Sequence, residues 1–366
     1  MNITSENKVI GQGVDGRDIC IEVLRIQGQD PQAPKAYLQA SLHGAELQGN
    51  VVIFHVLDAL QKTPPLGEVI IVPHANPMGG NHKVGEYTQG RFDPITGENW
   101  NRAYFYDDSW ISDFVAAHQD QTDAVLFDAF RQRLITQLTT RLTGLTWQVS
   151  RAQRMTWTLQ SLAHEADCVL DLHTGSVATD YLYAPYYAQA AAQYFHQSHI
   201  LLMPNGFGGA LDEATFCPWW TLVECLQEQG RDVICPVDSF TVELGSQEVM
   251  DFVHAEFQAY GILSYLSHKG VLPADAYQPE AIERYECDIA DYAIFYAPYG
   301  GLYEWFIEPG EGFVKGQTIA HCLQGAQEVR AIQVPYDGRL ITRFASSAVP
   351  QGAELARFFC DTNKVP

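Results

Sequence analysis

The chain has 366 residues, 46% of them hydrophobic, enough to bury a large core in about two or three domains. Only 22 Lys and Arg face 44 Asp and Glu, a formal charge of -22, and this excludes the basic surface that nucleic-acid binding requires. The N-terminal stretch lacks the apolar core of a signal peptide, no run is long enough to span a bilayer, and the 8 scattered cysteines form no disulfide framework, so a soluble cytoplasmic protein is expected.

Ile19 to Gln27 and Ala36 to Leu42 are apolar or alternating and flank the turn signal Gly28-Gln-Asp-Pro31; they read as neighbouring strands. His43-Gly44-Ala45-Glu46 follows, and Leu47 to Leu60 carries apolar residues at helical spacing. The motif thus falls at a strand-to-helix turn, where open α/β sheets carry their chemistry. An imidazole and a carboxylate so spaced can face one point, and zinc accepts both. A catalytic zinc needs a third protein ligand and an open position for water.

Glu68 to Pro73 is a further buried strand, leading to His74 and the turn Asn76-Pro-Met-Gly79. The loop from Gly80 to Arg102 is long and rich in Gly, Asn and Pro, a length that is usually functional or disordered. Its Arg91, Asn101 and Arg102 are donors suited to carboxylates and oxyanions, although a loop Arg taken singly is more often a solvated charge. Thr122 to Asp167 reads as two helices parted at Gly144. The first has a stripe of Phe127, Phe130, Leu134, Leu138 and Leu142, and the second carries Trp147, Met155, Trp157, Leu159 and Leu162. They read as scaffold, either an enlarged helical layer or the surface of a homo-oligomer.

Cys168 to Gly175 is a short apolar strand ending in His173, the best third ligand, with His74 its closest rival. His196 and His199 have a metal-compatible spacing but no acidic partner nearby. Tyr181 to Tyr187 suits a strand or a pocket wall, and Met203 to Gly209 a mobile Gly-rich loop. A helix is predicted over Trp220 to Gln229 and a strand over Ser239 to Gly245. Glu243 in that strand suits a general base beside a metal-bound water; standing alone it would be a sheet-edge glutamate. Beyond Gly270, short strand candidates between Gly turns predict a small all-β unit, and Lys315 sits in an ordinary turn.

Together, His43-Gly-Ala-Glu46, Asn76-Pro-Met-Gly79, Asn101-Arg102, Asp171-Leu-His-Thr-Gly175 and Val242-Glu-Leu-Gly-Ser-Gln247 resemble the succinylglutamate desuccinylase/aspartoacylase family, relatives of the zinc carboxypeptidases. The resemblance covers most of the chain and implies an α/β fold, a mixed twisted sheet flanked by helices with a small C-terminal all-β domain. It implies a zinc-hydrolase domain over 1–275, with a helical insertion at about 105–165, and a β-rich domain over 276–366 similar to a biotinyl or lipoyl sandwich, without an attached cofactor.

The resemblance further implies about one Zn²⁺ per chain, held by His43, Glu46 and His173. Glu243 would be the base, Arg91 a second positive charge at the oxyanion, and Asn101 and Arg102 the grip on a free carboxylate beside the scissile amide. The expected activity is zinc-dependent hydrolysis of an N-acyl amino acid or related small acyl compound by metal-activated water, with a small-molecule substrate and no nucleic-acid or membrane partner. His74 would then lie behind the ligands or in the core. Ser246 stands where relatives have Pro, and Asn99-Trp100 where they have Asp-Leu or Asn-Leu, so a bulky Trp is expected to reshape the pocket. A zinc carboxypeptidase acting on short peptides would share the catalytic residues. A non-catalytic ligand-binding relative would not need Glu243.

Overall fold

The computed structural model describes residues 3–144, 146–360 and 362–365; the outer limits of the two expected domains, 1 and 366, lie outside them. Its centre is a 10-stranded mixed sheet in the order Ile3–Gln12, Asp18–Ile26, Val69–Val72, Ala36–Ala40, Cys168–Gly175, Asp238–Ser246, Asp180–Pro185, His199–Met203, Arg284–Asp288 and Asn363–Val365. The strands from Val69–Val72 to Asp238–Ser246 run parallel. Their near-continuous apolar character follows from burial on both faces.

Alternation assigns each strand residue to a layer. Leu38 and Leu170 pack with Val52, Val56, Ile262 and Leu266 of the helices Gln48–Lys62 and Phe252–His268. Tyr37 and Val169 face Met155, Leu159 and Leu211 on the other side, from the helices Arg151–Ala163 and Leu211–Glu228. Losing one such buried aliphatic side chain costs about 2–5 kcal/mol.

Three expectations need correction. Asp18–Ile26 and Ala36–Ala40 are not neighbours, because Val69–Val72 lies between them, antiparallel to the first and parallel to the second. The connection through Gly28 is long enough to step over one strand, a separation of about 10 Å. Trp147 is 77% exposed rather than part of the second helix, which starts at Arg151 behind a Ser150 capping box. The helix predicted from Trp220 begins at Leu211 and contains Pro218. Proline lacks the amide that would bond Ala214, and Gln160 Nε2 donates to that carbonyl at 3.4 Å instead.

The long insertion helix Asp123–Thr143 buries Leu126, Phe130, Leu134 and Leu138, a stripe shifted by one residue from Phe127 at its start. It packs on Trp219, Leu222 and Leu226. After Arg284–Asp288 the chain forms two antiparallel sheets. One orders Tyr292–Tyr296, Glu354–Phe359, Gly338–Arg343 and Gly312–Phe313; the other orders Glu328–Gln333, Thr318–Gln324, Gly301–Trp305 and Ala348–Val349. Val177–Ala178, directly after the strand of His173, pairs with Gly338–Arg343 and ties the first of these sheets to the edge where the parallel strands end. No helix among the described residues is long and apolar enough to cross a membrane.

Candidate active site

The parallel strands deliver their C-terminal ends to one edge, as open α/β sheets do. Ala36–Ala40 stops at Ala40, and Ser41 takes φ 57°, a left-handed turn that swings the chain up before the helix. The Ser41 hydroxyl donates to Asn50 Oδ1 at 2.5 Å. Gly44 then lies flat against the neighbouring turn; a Cβ there would stand 2.2 Å from the Gly79 carbonyl oxygen. Asn76 holds that turn by donating from Nδ2 to the Leu42 carbonyl at 2.9 Å and accepting from the Gly79 amide at 2.9 Å. The Asn-Pro-x-Gly segment therefore clamps the loop that presents His43.

His43, Glu46 and His173 converge. His43 Nδ1 is 2.9 Å from Glu46 Oε1, and His173 Nδ1 is 2.7 Å from Glu46 Oε2. The outward nitrogens are occupied as well: His43 Nε2 lies 3.0 Å from Asn99 Oδ1, and His173 Nε2 lies 2.8 Å from Asp171 Oδ2. Asn99 orients the His43 ring and Asp171 stands as the charge partner of His173, leaving each Nδ1 facing the cluster, as metal-binding imidazoles require. Asp171 accepts in turn from Gln39, whose amide oxygen takes the Tyr37 hydroxyl, each at 2.8 Å.

Charge balance sets the acidities. Burial alone would raise the Glu46 carboxyl, but His43 and His173 overcome it and hold it below the usual carboxylate range. Burial would lower the His173 imidazole, yet Asp171 and then Glu46 carry it well above its ordinary value. One ligand atom from each of His43, Glu46 and His173 lies within 4.8 Å of the others, and no second group of this kind occurs among the described residues. Two imidazoles and a carboxylate, all buried, fit a divalent ion such as zinc with one position left open.

The cluster opens into a cavity of about 860 Å³. Arg91, Asn101, Arg102 and Glu243 all line it. Arg91 donates from Nη1 to Glu46 Oε1 at 3.2 Å while half its side chain meets solvent. Asn101 is buried with Oδ1 unpartnered among the described residues, and Arg102 donates to the Asn101 carbonyl at 2.6 Å. Glu243 pairs in register with His173 on the adjacent parallel strand. Burial raises its carboxyl to about 7, with His173 pulling down and Glu46 pushing up.

A family model of the succinylglutamate desuccinylase/aspartoacylase catalytic domain matches residues 32–269. A solved structure assigned to this family from Shewanella frigidimarina NCIMB 400 is 41% identical, with a TM-score of 0.96 over 99% of this chain and 98% of the other. The chain belongs to the succinylglutamate desuccinylase/aspartoacylase family. A family protein from Shewanella amazonensis SB2B is 40% identical with a TM-score of 0.95, covering 99% of this chain and 100% of that one. A Rhodobacter sphaeroides protein, 18% identical over 100% and 96% of the two chains, shares the fold at a TM-score of 0.67. No curated protein matches the chain.

Within this deacylase family frame, several expectations shift. His74 is exposed, its Nδ1 3.2 Å from Asn50 Nδ2, so it is neither behind the ligands nor in the core. Trp100 does not shape the pocket: it is fully buried in the cluster of Tyr37, Val72 and Leu211, with the Arg151 guanidinium 5.5 Å from its ring centroid. The one-turn 3₁₀ segment Trp100–Arg102 turns Trp100 inward while Asn101 and Arg102 reach the cavity. His196 bonds the Phe257 carbonyl and His199 the Ser198 hydroxyl, which makes both structural. Tyr181 to Pro185 is both alternatives at once, a strand whose Tyr181 and Tyr183 line the cavity.

Sequence reasoning missed Asn99 and Asp171 as partners of the imidazoles. Asp171 had a signal, since it lies two residues before His173 on a strand and so on the same face. It also missed Asp212 and the far wall, where Tyr292, Arg343 and Arg357 come from the antiparallel sheet. No local spacing connects those residues to His43.

Proposed function

We propose that the protein is a zinc-dependent amidohydrolase that cleaves the amide bond of an N-acyl amino acid, with His43, Glu46 and His173 as ligands of about one zinc per chain. The observation that carries the reading is the meeting of those three buried side chains, each imidazole backed on its far nitrogen, at the open edge of the parallel strands. Zinc bound there supplies Lewis acidity that acidifies a water and polarises a carbonyl. Glu243 takes the proton from the attacking water and returns it to the leaving nitrogen. Its burial suits this shuttle, because a carboxyl that holds a proton near neutral pH can both accept and donate.

Arg91 places a positive charge over the carbonyl oxygen as negative charge develops. Asn101 and Arg102 orient the substrate by its free carboxylate, Arg102 through its planar guanidinium. The division into a catalytic unit of 1–275 and a β-rich unit of 276–366, with the second unit walling the cavity, belongs to the same proposal, as does a cytoplasmic location. The test is hydrolysis of N-acetyl, N-succinyl and N-formyl amino acids by metal-loaded protein, alongside metal analysis. Zinc at about one per chain with turnover of at least one acyl series supports the reading; absence of zinc after gentle purification, or inertness of zinc-loaded protein to every series, removes it.

A further inference from the structure

The cavity carries a further buried carboxylate that the hydrolytic scheme does not use. Asp212 lies in the first turn of the helix Leu211–Glu228 and lines the cavity with Tyr183, Thr241 and Glu243. It is 6% exposed, and its Oδ1 has no hydrogen-bond partner among the described residues. The charges acting on it most strongly, Glu213 and Asp171, are of its own sign. Arg91, Arg102, Arg343 and Arg357 line the same cavity, yet no ion pair to Asp212 forms among the described residues, and a buried acid so placed can take its cation from a ligand.

Strand geometry says where that cation belongs. Glu243 and Thr241 are two residues apart on one strand and share a face, and Thr241 pairs with Tyr183 on the neighbouring antiparallel strand. From Glu243, where the leaving nitrogen receives its proton, the cavity wall therefore runs about 7 Å inward to Thr241. Asp212 adjoins Thr241 there and lines the same cavity. A side chain attached to the carbon that bears the leaving nitrogen would follow this wall. With its α-carboxylate held by Asn101 and Arg102, a side chain that ends in a cation and follows this wall meets Asp212.

We infer that the substrate is the N-acyl derivative of a basic amino acid, of the lysine or arginine class, with Asp212 as the residue that pairs with the side-chain cation. The inference rests on the hydrolytic reading for the position of the leaving nitrogen. An acidic side chain, such as the family's name suggests, would bring like charge against Asp212 and Glu243. A neutral side chain of equal length would leave Asp212 unpaired.

The test joins binding to turnover. Free lysine, arginine, norleucine and glutamate are titrated calorimetrically into zinc-loaded protein, and the Nα-acetyl, Nα-succinyl and Nα-formyl forms of each are assayed. Lysine or arginine is expected to bind at least about tenfold more tightly than norleucine, and its acyl forms to exceed those of norleucine about 100-fold in kcat/KM. Asp212→Asn should abolish both ratios. Asp212→Glu, which keeps the charge and shortens the space, should move the preference toward ornithine.

Norleucine or glutamate binding as well as the basic amino acids overturns the inference, as does equal damage by Asp212→Asn across all substrates. Should the asparagine variant fail to fold, the wild-type binding ratio decides alone. Selective binding of lysine or arginine without turnover of any acyl form removes the hydrolytic reading, and the acyl substrate with it, and leaves only Asp212 as the partner of a basic side chain; binding of none of the four overturns the inference.

Discussion

Glu46 and Asp212 are carboxylates sealed into one cavity, 2% and 6% exposed, and their acidities move in opposite directions. Between the two imidazoles, burial of Glu46 is outweighed by His43 and His173, and the carboxyl stays ionised below its ordinary range. Beside Thr241, burial of Asp212 is reinforced by Glu213 and Asp171, and the carboxyl rises to about 7. The desolvation is similar and the partners differ. A buried carboxylate already paired within the protein stays charged; one without an ion pair among the described residues keeps its proton, and a ligand's cation would release it.

The harshest way to break this contrast is to remove its paired side. Glu46→Gln or His173→Ala should reduce bound zinc from about one per chain to none and turnover to background, read by metal analysis and kcat. A variant that keeps its zinc would show that the cluster is an ordinary buried ion network. Glu243→Gln should leave the metal in place and lower kcat by roughly 10³-fold; unchanged turnover would remove it as the base.

Milder changes sharpen the contrast. Asp171→Asn keeps the ligands and weakens only the backing of His173, so zinc affinity should fall by about 10- to 100-fold, measured by competition with a chelator. Arg102→Ala should raise KM by roughly tenfold for substrates with a free carboxylate and spare their methyl esters. Equal damage to both would move carboxylate recognition elsewhere in the cavity.

The smallest effect separates the two carboxylates by pH. The folded chain keeps a proton on Asp212 that the unfolded chain releases, because the folded value of about 7 lies above the ordinary 3.8. Stability of the metal-free protein therefore falls as pH rises from about 4 to about 7 on this account. Asp212→Asn should match the parent in Tm near pH 4 and exceed it by a few degrees above pH 7. A parent that remains the more stable at high pH would show a structural partner for Asp212. Glu46 carries the opposite sign, its contribution present above the ordinary carboxylate value and lost as pH falls through a lower one.

Much of the His43, Glu46 and His173 cluster was legible because its residues announce themselves in short windows. His43 and Glu46 share one turn, His173 ends an apolar strand, and Glu243 falls in another whose ladder pairs it with His173. The strands themselves follow from apolar runs that only a doubly covered sheet can bury. Errors arose where local pattern and tertiary environment disagree. Pro218 hid the first half of a helix because the freed Ala214 carbonyl is satisfied by Gln160 on another element. Trp100 looked like a pocket residue because the direction of a side chain in a single 3₁₀ turn is set by the core beneath it.

The order of strands was likewise a tertiary decision. Val69–Val72 enters between two strands that are consecutive in sequence, and nothing in a nine-residue window of either reveals it. Residue type and period over a few positions were enough for the donor set, the strand-to-helix turn that carries it and the apolar surface that makes the sheet. Only folding settled which far wall faces the donors, that His74 is exposed, and that Asp212 lies buried without an ion pair among the described residues, because pairing between distant charges exists only once the chain has folded.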